Sequence, residues 1–450
     1  MLLFFGLRRR SDARRVEARL LITWIGTLET LLHNFTTQSS ICGHADRQTQ
    51  HSTHTIVKIL TVDIGTGTQD VFLFDSRLAL ENGFKLVVPS PTMIVHRRIK
   101  QATLRRSSIL LTGSQMGGGP SAWATETHAR AGLAVFATPQ AALTLDDEPA
   151  RVSAMGIRIV SEDEAQHLGS SVERIKLGDF DFPAIAASFA GFGVALDDLD
   201  AVAVAVFDHG AAPPGISDRQ FRFDYIDRRI RERNSLAAFA YRSDDLPPIM
   251  SRLQSVAQSA SQLDLPLVVM DTAPAAVLGA TFDPRVSLLS RTLIVNVGNF
   301  HALAFRLASG SIEGVFEHHT GEIDLQKLET YLIALADGSL KHEDIFNDMG
   351  HGALVYGAKP LMLGEGEFDV VVTGPRRGLF RQPPASEQQD SASRPTRLRP
   401  YFAVPFGDMM LSGCFGLLAA TADVLPDLAD VIRQSMRSGA GSGASPWDFD

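Results

Sequence analysis

The stretch Val62-Asp63-Ile64-Gly65-Thr66-Gly67-Thr68-Gln69-Asp70 decides the fold. The run Ile59-Leu60-Thr61 leads into it and Val71-Phe72-Leu73-Phe74 leads out, so a glycine turn joins two β-prone runs. The second run stops at Asp75, which suits a returning strand and not the helix of a dinucleotide-binding unit. Position 70 lacks the third glycine, so the Rossmann fingerprint fails, and no GxxxxGK[ST] phosphate loop occurs elsewhere. The turn suits a phosphate: Gly65 and Gly67 admit close approach to backbone N–H groups, and Thr66 and Thr68 add hydroxyl donors. The bland alternative is a hairpin held by its own Thr and Asp hydrogen bonds.

Downstream the pattern partly repeats. In Leu293-Ile294-Val295-Asn296-Val297-Gly298-Asn299-Phe300-His301-Ala302-Leu303, Asn296 aligns with Asp63 and Gly298 with Gly65, around a shorter turn. Between and beyond the two hairpins, buried-type strands such as Ala201-Val202-Ala203-Val204-Ala205-Val206 alternate with helical stretches, which indicates an α/β architecture. The repeat predicts two lobes of like topology, each offering a polar turn to a cleft between them. Small-residue runs at 271–280 and 407–418 predict helices that approach a neighbour closely.

Composition agrees. A chain of 450 residues, 45% of them apolar, exceeds one hydrophobic core. Its formal charge of −9 argues against a nucleic-acid surface, and Cys42 and Cys414 alone cannot build a disulfide scaffold or a thiolate-rich metal centre. A reducing cytoplasm is expected, with no membrane association. Residues 1–56 are rich in arginine and free of lysine, with an apolar stretch too short to span a bilayer. They are expected to be a disordered or non-native extension before a start near Val57, which intact-mass measurement tests.

Several other residues are candidates for chemistry. Gly117-Gly118-Gly119 precedes a helix and is read either as an anion site at its N-terminus or as a flexible connection. Asp208 and His209 follow a buried strand, where α/β ligands bind, so Asp208 is the expected general base or else a turn former. Arg219 and Arg222 are read as a clamp for an anionic substrate or as surface ion pairs. His318 and His319 beside Glu317 are not expected to form a metal site, since adjacent strand residues point to opposite faces.

In this order, the segments resemble the superfamily of actin, hexokinase-type sugar kinases and heat-shock chaperone ATPases. Residues 63–75 and 296–305 correspond to its two phosphate hairpins, 370–378 to its adenosine-type turn, and 271–280 and 409–418 to its connecting helices. The resemblance covers residues 57–420. Composition reads 381–400 as a mobile loop and the tail at 425–450 as partly disordered, and the resemblance implies a two-lobed actin-like ATPase (ribonuclease H-like) fold, with lobe I at 57–284, lobe II at 285–406 and a connecting helix at 407–424. It further implies ATP at Gly65, Thr66, Gly67, Thr68, Asn296, Gly298, Asn299 and Gly374, with Asp63 orienting Mg²⁺ through water and contributing to catalysis.

More narrowly, the hairpin at 63–70, Met116-Gly117-Gly118-Gly119-Pro120, Asp208-His209-Gly210, residues 217–223 and Gly407-Asp408-Met409-Met410 resemble the family called domain of unknown function seventeen eighty-six. That family is often labelled a pyruvate formate-lyase activating enzyme. Such activation uses a cluster held by three closely spaced cysteines, which this chain lacks, so no iron–sulfur cluster is expected. Asn296 stands where a catalytic aspartate is common and cannot act as a base. Two readings therefore remain: a Mg²⁺-ATP phosphotransferase or ATPase acting on an unknown small molecule, or a nucleotide-dependent regulatory protein with an unknown partner. Metabolite binding at Gly117–Gly119 without a nucleotide is a third.

Overall fold

The computed structural model describes residues 56–357, 359–381 and 396–437. The expectations for residues 1–55, for most of the 381–400 loop and for the end of the tail lie outside the described residues.

The opening hairpin forms as read. β1 (Lys58–Ile64) and β2 (Thr68–Asp75) pair antiparallel, and β3 (Phe84–Pro89) extends the meander. The chain then leaves this sheet. β4 (Ile109–Gly113), β5 (Val135–Ala137), β6 (Ile157–Ile159) and β7 (Glu173–Leu177) build a separate parallel sheet in the order β6-β5-β4-β7, around an apolar cluster of its own. β8 (Ala201–Val206), β9 (Ala240–Arg242) and β10 (Leu267–Asp271) return to complete a six-stranded sheet, β3-β2-β1-β8-β10-β9.

A second six-stranded sheet follows. β11 (Arg291–Val297), β12 (His301–Ala308), β13 (Ser311–His319), β14 (Gly352–Val355), β15 (Val370–Thr373) and β16 (Pro400–Phe402) take the order β14-β13-β12-β11-β15-β16. Setting aside β9 and β14, both large sheets follow one plan: an antiparallel three-strand meander, then two strands parallel to its first strand. The echo between the hairpins thus extends to whole sheets.

The fold differs from the sequence reading in two places. Residues 57–284 carry an inserted third sheet, which went unseen because its strands alternate with helices in the same α/β pattern as their host. Residues 426–437, assigned to the tail, form the helix Pro426–Arg437, with Ala429, Ile432 and Met436 buried along one face.

β8 shows why the first sheet packs as it does. Its valines join the cluster with Val62 and Val269, while its alanines face Phe415, Leu417 and Leu418 of the helix Ser412–Val424. Alanine on that face lets the helix lie close to the strands. The same helix meets the helix Thr272–Ala280 backbone to backbone: a Cβ on Gly279 would sit 1.7 Å from the Ser412 carbonyl oxygen, and one on Gly416 would sit 1.9 Å from that of Ala275. Among the described residues no helix is long and apolar enough to cross a membrane.

Candidate functional site

A cleft of about 980 Å³ collects the ends of β1, β8 and β11, the loop after β4, and the first turns of the helices Thr272–Ala280 and Ser412–Val424. Gly65, Thr66, Gly67, Thr68, Asn296, Gly298, Asn299 and Gly374 all line it, as do Asp63, Gly117, Gly118, Gly119, Asp208 and His209.

The first turn is fixed by its own backbone and by Ser90. Gly65 N donates to Thr68 O at 2.9 Å, and Ser90 holds the next two carbonyls, its Oγ donating to Thr66 O and its N to Gly67 O. Across the cleft, a Cβ on Gly67 would lie 2.3 Å from Asn299 Nδ2, so the two hairpin turns touch and a side chain at 67 would displace Asn299. Gly374, at φ +96°, leaves room for Asn296, whose Oδ1 would be 2.2 Å from an added Cβ.

Asp63 is buried, with Oδ1 accepting from Thr272 Oγ1 at 2.5 Å and Oδ2 packed against the backbone of Gly413. Burial pushes its carboxyl up to about 6, against the lowering by Thr272, and the Asp271 charge adds to the rise. Asp70 pairs with it across the hairpin, and there burial followed by the Asp63 charge pushes the carboxyl up to about 8. Asp70 Oδ1 is buried without a hydrogen-bond partner. The sequence reading quoted Asp70 as part of the turn without assigning it a role. The turn length, which fixes the register and so sets residues 63 and 70 opposite each other, was the available signal.

The glycine loop is built into the wall. Gly117 N donates to Asp179 Oδ1, and Asp179 also takes both Nε and Nη2 of Arg252, whose Nη1 donates to Phe207 O at 2.6 Å. Gly119 adopts φ +50° just before the helix Pro120–Arg130, where Ser121 N donates to Thr92 Oγ1.

Asp208 is held by the backbone on both sides. Its two carboxylate oxygens accept the N–H groups of Gly210 and Leu253, each at 2.8 Å. Burial still pushes it up to about 6, outweighing those bonds and the Arg252 charge. Its oxygens thus tie the turn after β8 to the helix Ser251–Ser259, while the side chain lines the cleft.

Neither arginine lines the cleft. Arg222 is 1% exposed, and its guanidinium donates to Glu317, to Asp271 Oδ2 at 2.6 Å and to Asp208 O at 2.8 Å. It therefore ties the first sheet to β13 beneath the cleft. Arg219 donates to the carbonyls of Phe346 and Gly350 and lies over the Phe346 ring. The Arg219 partners lie 127 and 131 positions away, at the end of the helix His342–Phe346 and in the loop before β14, and helix spacing alone does not reveal them. His318 pairs with Asp348 and Glu317 with Arg222, so adjacent residues of β13 do face opposite ways. His209 meets His351, and burial, then the charges of Arg222 and Arg252, holds its imidazole down to about 3.

No match was found among curated proteins. Among solved structures, similarity reaches a ROK hexokinase from Thermus thermophilus at 11% identity, over 57% of this chain and 47% of the other, with a TM-score of 0.21. It reaches an exopolyphosphatase-like protein at 8% identity, over 71% and 66%, with a TM-score of 0.22. A propionate kinase from Francisella tularensis subsp. tularensis is similar at 9% identity, over 57% and 56%, with a TM-score of 0.20. The chain thus spans about half the length of the hexokinase it matches. A family model described as "Putative pyruvate format-lyase activating enzyme (DUF1786)" matches residues 116–379, well over half of the chain. The chain belongs to the DUF1786 family.

Proposed function

We propose that the chain is a Mg²⁺-nucleotide-dependent phosphotransferase or ATPase of the actin and sugar kinase type, working in the cleft between its two large sheets. The observation that carries this reading is the meeting of two hairpin turns, from sheets of one topology, above the buried pair Asp63 and Asp70. The cleft volume lies at the upper end of the range for small-molecule and cofactor sites. The Asp pair fits a hydrated divalent cation, because Asp70 Oδ1 is buried without a partner and each carboxylate resists ionisation without a nearby positive charge. Asp63 and Asp70 would hold Mg²⁺ through water, and the ion would neutralise charge on the transferred phosphoryl group.

The family description points to a different chemistry that these residues do not fit. A radical-generating cluster needs three or four thiolates, and the chain has two cysteines. Cys414 is buried, with its thiol directed to the Asp70 carbonyl at 3.1 Å.

Asn296 and the hydrogen-bonded Asp208 favour a second reading, in which the nucleotide is bound with little turnover and the protein acts on a partner. Calorimetry with Mg²⁺-ATP, Mg²⁺-ADP and Mg²⁺-GTP, followed by phosphate release, separates the cases. Binding with turnover that Asp63→Ala abolishes supports the enzyme, and binding without turnover supports the regulatory reading. Absence of binding by all three nucleotides would overturn both.

A further inference from the structure

Three histidines far apart in sequence converge at the inner end of the cleft. His209 follows β8, His301 opens β12, and His351 directly precedes β14. His209 Nε2 lies 3.1 Å from His351 Nε2, and one ring nitrogen from each of the three falls within 4.8 Å of the other two. We propose that His209, His301 and His351 form a binding site for a divalent transition-metal ion of the Zn²⁺, Fe²⁺ or Co²⁺ class, with an open coordination position toward the cleft. The site is distinct from the Asp63–Asp70 pair and stands whether or not a nucleotide binds.

Donor geometry is the first support. Two imidazole nitrogens bound tetrahedrally to one zinc at about 2.0–2.1 Å lie about 3.3 Å apart, close to the separation of the His209 and His351 nitrogens. The third ligand shows the same need from another side: His301 Nε2 is buried and has no hydrogen-bond partner. An unsatisfied buried nitrogen is costly, and a cation between the rings removes that cost.

The surroundings are those of a metal centre. Glu317 Oε1 sits 3.3 Å from His351 Nδ1 without the alignment of a hydrogen bond, on the side of the ring away from His209, which places a carboxylate beside the ring without yet orienting it. The charges of Arg222 and Arg252 both reach the cluster, but Asp271 and Glu317 pair with the first and Asp179 with the second, so the group carries a formal charge of about −1 and tolerates added positive charge. Phe207 stacks on the His301 ring at 4.1 Å and fixes its plane. Three imidazoles without a thiolate favour first-row transition ions over Mg²⁺ or Ca²⁺. His209 and His301 line the cleft, which leaves the remaining position for water or a substrate oxygen, the arrangement of catalytic and not structural sites.

The test uses tag-free, full-length protein stripped with chelator and titrated with Co²⁺. Visible d–d absorption saturating at one equivalent and abolished by Zn²⁺ is expected, and its absence overturns the proposal whatever the variants do. His301→Gln and His351→Gln are each expected to weaken Zn²⁺ binding at least about tenfold, with folding checked by circular dichroism, while His96→Gln leaves it unchanged. Undiminished affinity in folded His301→Gln or His351→Gln would also overturn it.

Discussion

Asp63 and Asp70 stand directly opposite one another on the β1–β2 ladder, two buried carboxylates on one face of a single hairpin. Their values of about 6 and about 8 exceed that of a carboxyl in the unfolded chain, so the folded protein holds protons that the unfolded chain releases. The resulting stabilisation is complete below about pH 4 and is lost as pH rises through the two folded values. Without divalent cations, Asp70→Asn is therefore expected to raise Tm relative to wild type more at pH 8 than at pH 5. Added Mg²⁺ should raise wild-type Tm at pH 8 and leave the variant nearly unmoved. Equal variant effects at both pH values would show that the pair is ionised throughout.

Gly67 and Asn299 are expected to be coupled. Gly67→Ala drives a methyl into Asn299 Nδ2, at the free end of a side chain that can swing away, so the cost is modest. Asn299→Ala should cancel it, giving a coupling of about 0.5–1 kcal/mol in urea denaturation. Strict additivity would mean that the two turns do not touch in solution.

Gly416→Ala is a harsher change. The added methyl meets the Ala275 carbonyl, part of a helix backbone that cannot rotate aside. A loss of about 1–3 kcal/mol or more is expected from denaturant titration. A wild-type midpoint would refute the backbone contact between the two helices.

Arg222→Met removes the charge that two buried carboxylates share. Leaving Asp271 and Glu317 without it should cost about 3–5 kcal/mol. Adding Glu317→Gln to the same chain should recover part of that loss, since one of the stranded charges is then gone. No recovery in the double variant would place the loss in packing instead.

Asp208→Asn separates a structural role from a catalytic one. The amide keeps one acceptor for the N–H groups of Gly210 and Leu253 and loses the other, so about 1–3 kcal/mol of stability should go. Nucleotide affinity in calorimetry should be unchanged for the folded fraction. Undiminished stability with abolished turnover would return Asp208 to the role of general base.

Local pattern carried much of the architecture. Glycine spacing and the length of the second apolar run gave the β1–β2 hairpin, and the motif from Asn296 to His301 gave its counterpart, because strand, turn and strand are contiguous in sequence. The same locality hid what depends on distant partners. Arg222 reads as an anion clamp or a surface ion pair until Glu317 and Asp271 are brought to it, and the Leu253 N–H that holds Asp208 lies 45 positions further on. His209, His301 and His351 share no spacing motif, since three different segments carry them to one point. The inserted β4–β7 sheet was hidden for another reason: its pattern is that of the sheet it interrupts.

Arg222 and Arg252 have a joint consequence for mechanics. Arg222 straps the two large sheets together at the floor of the cleft, and Arg252 fastens the inserted sheet's loop to the end of β8. At the rim, the hairpin turns meet through the van der Waals contact of Gly67 with Asn299. Charge-assisted hydrogen bonds hold the base and only a van der Waals contact joins the turns, so the base of the cleft is its stiff part and the turns are the part that yields first.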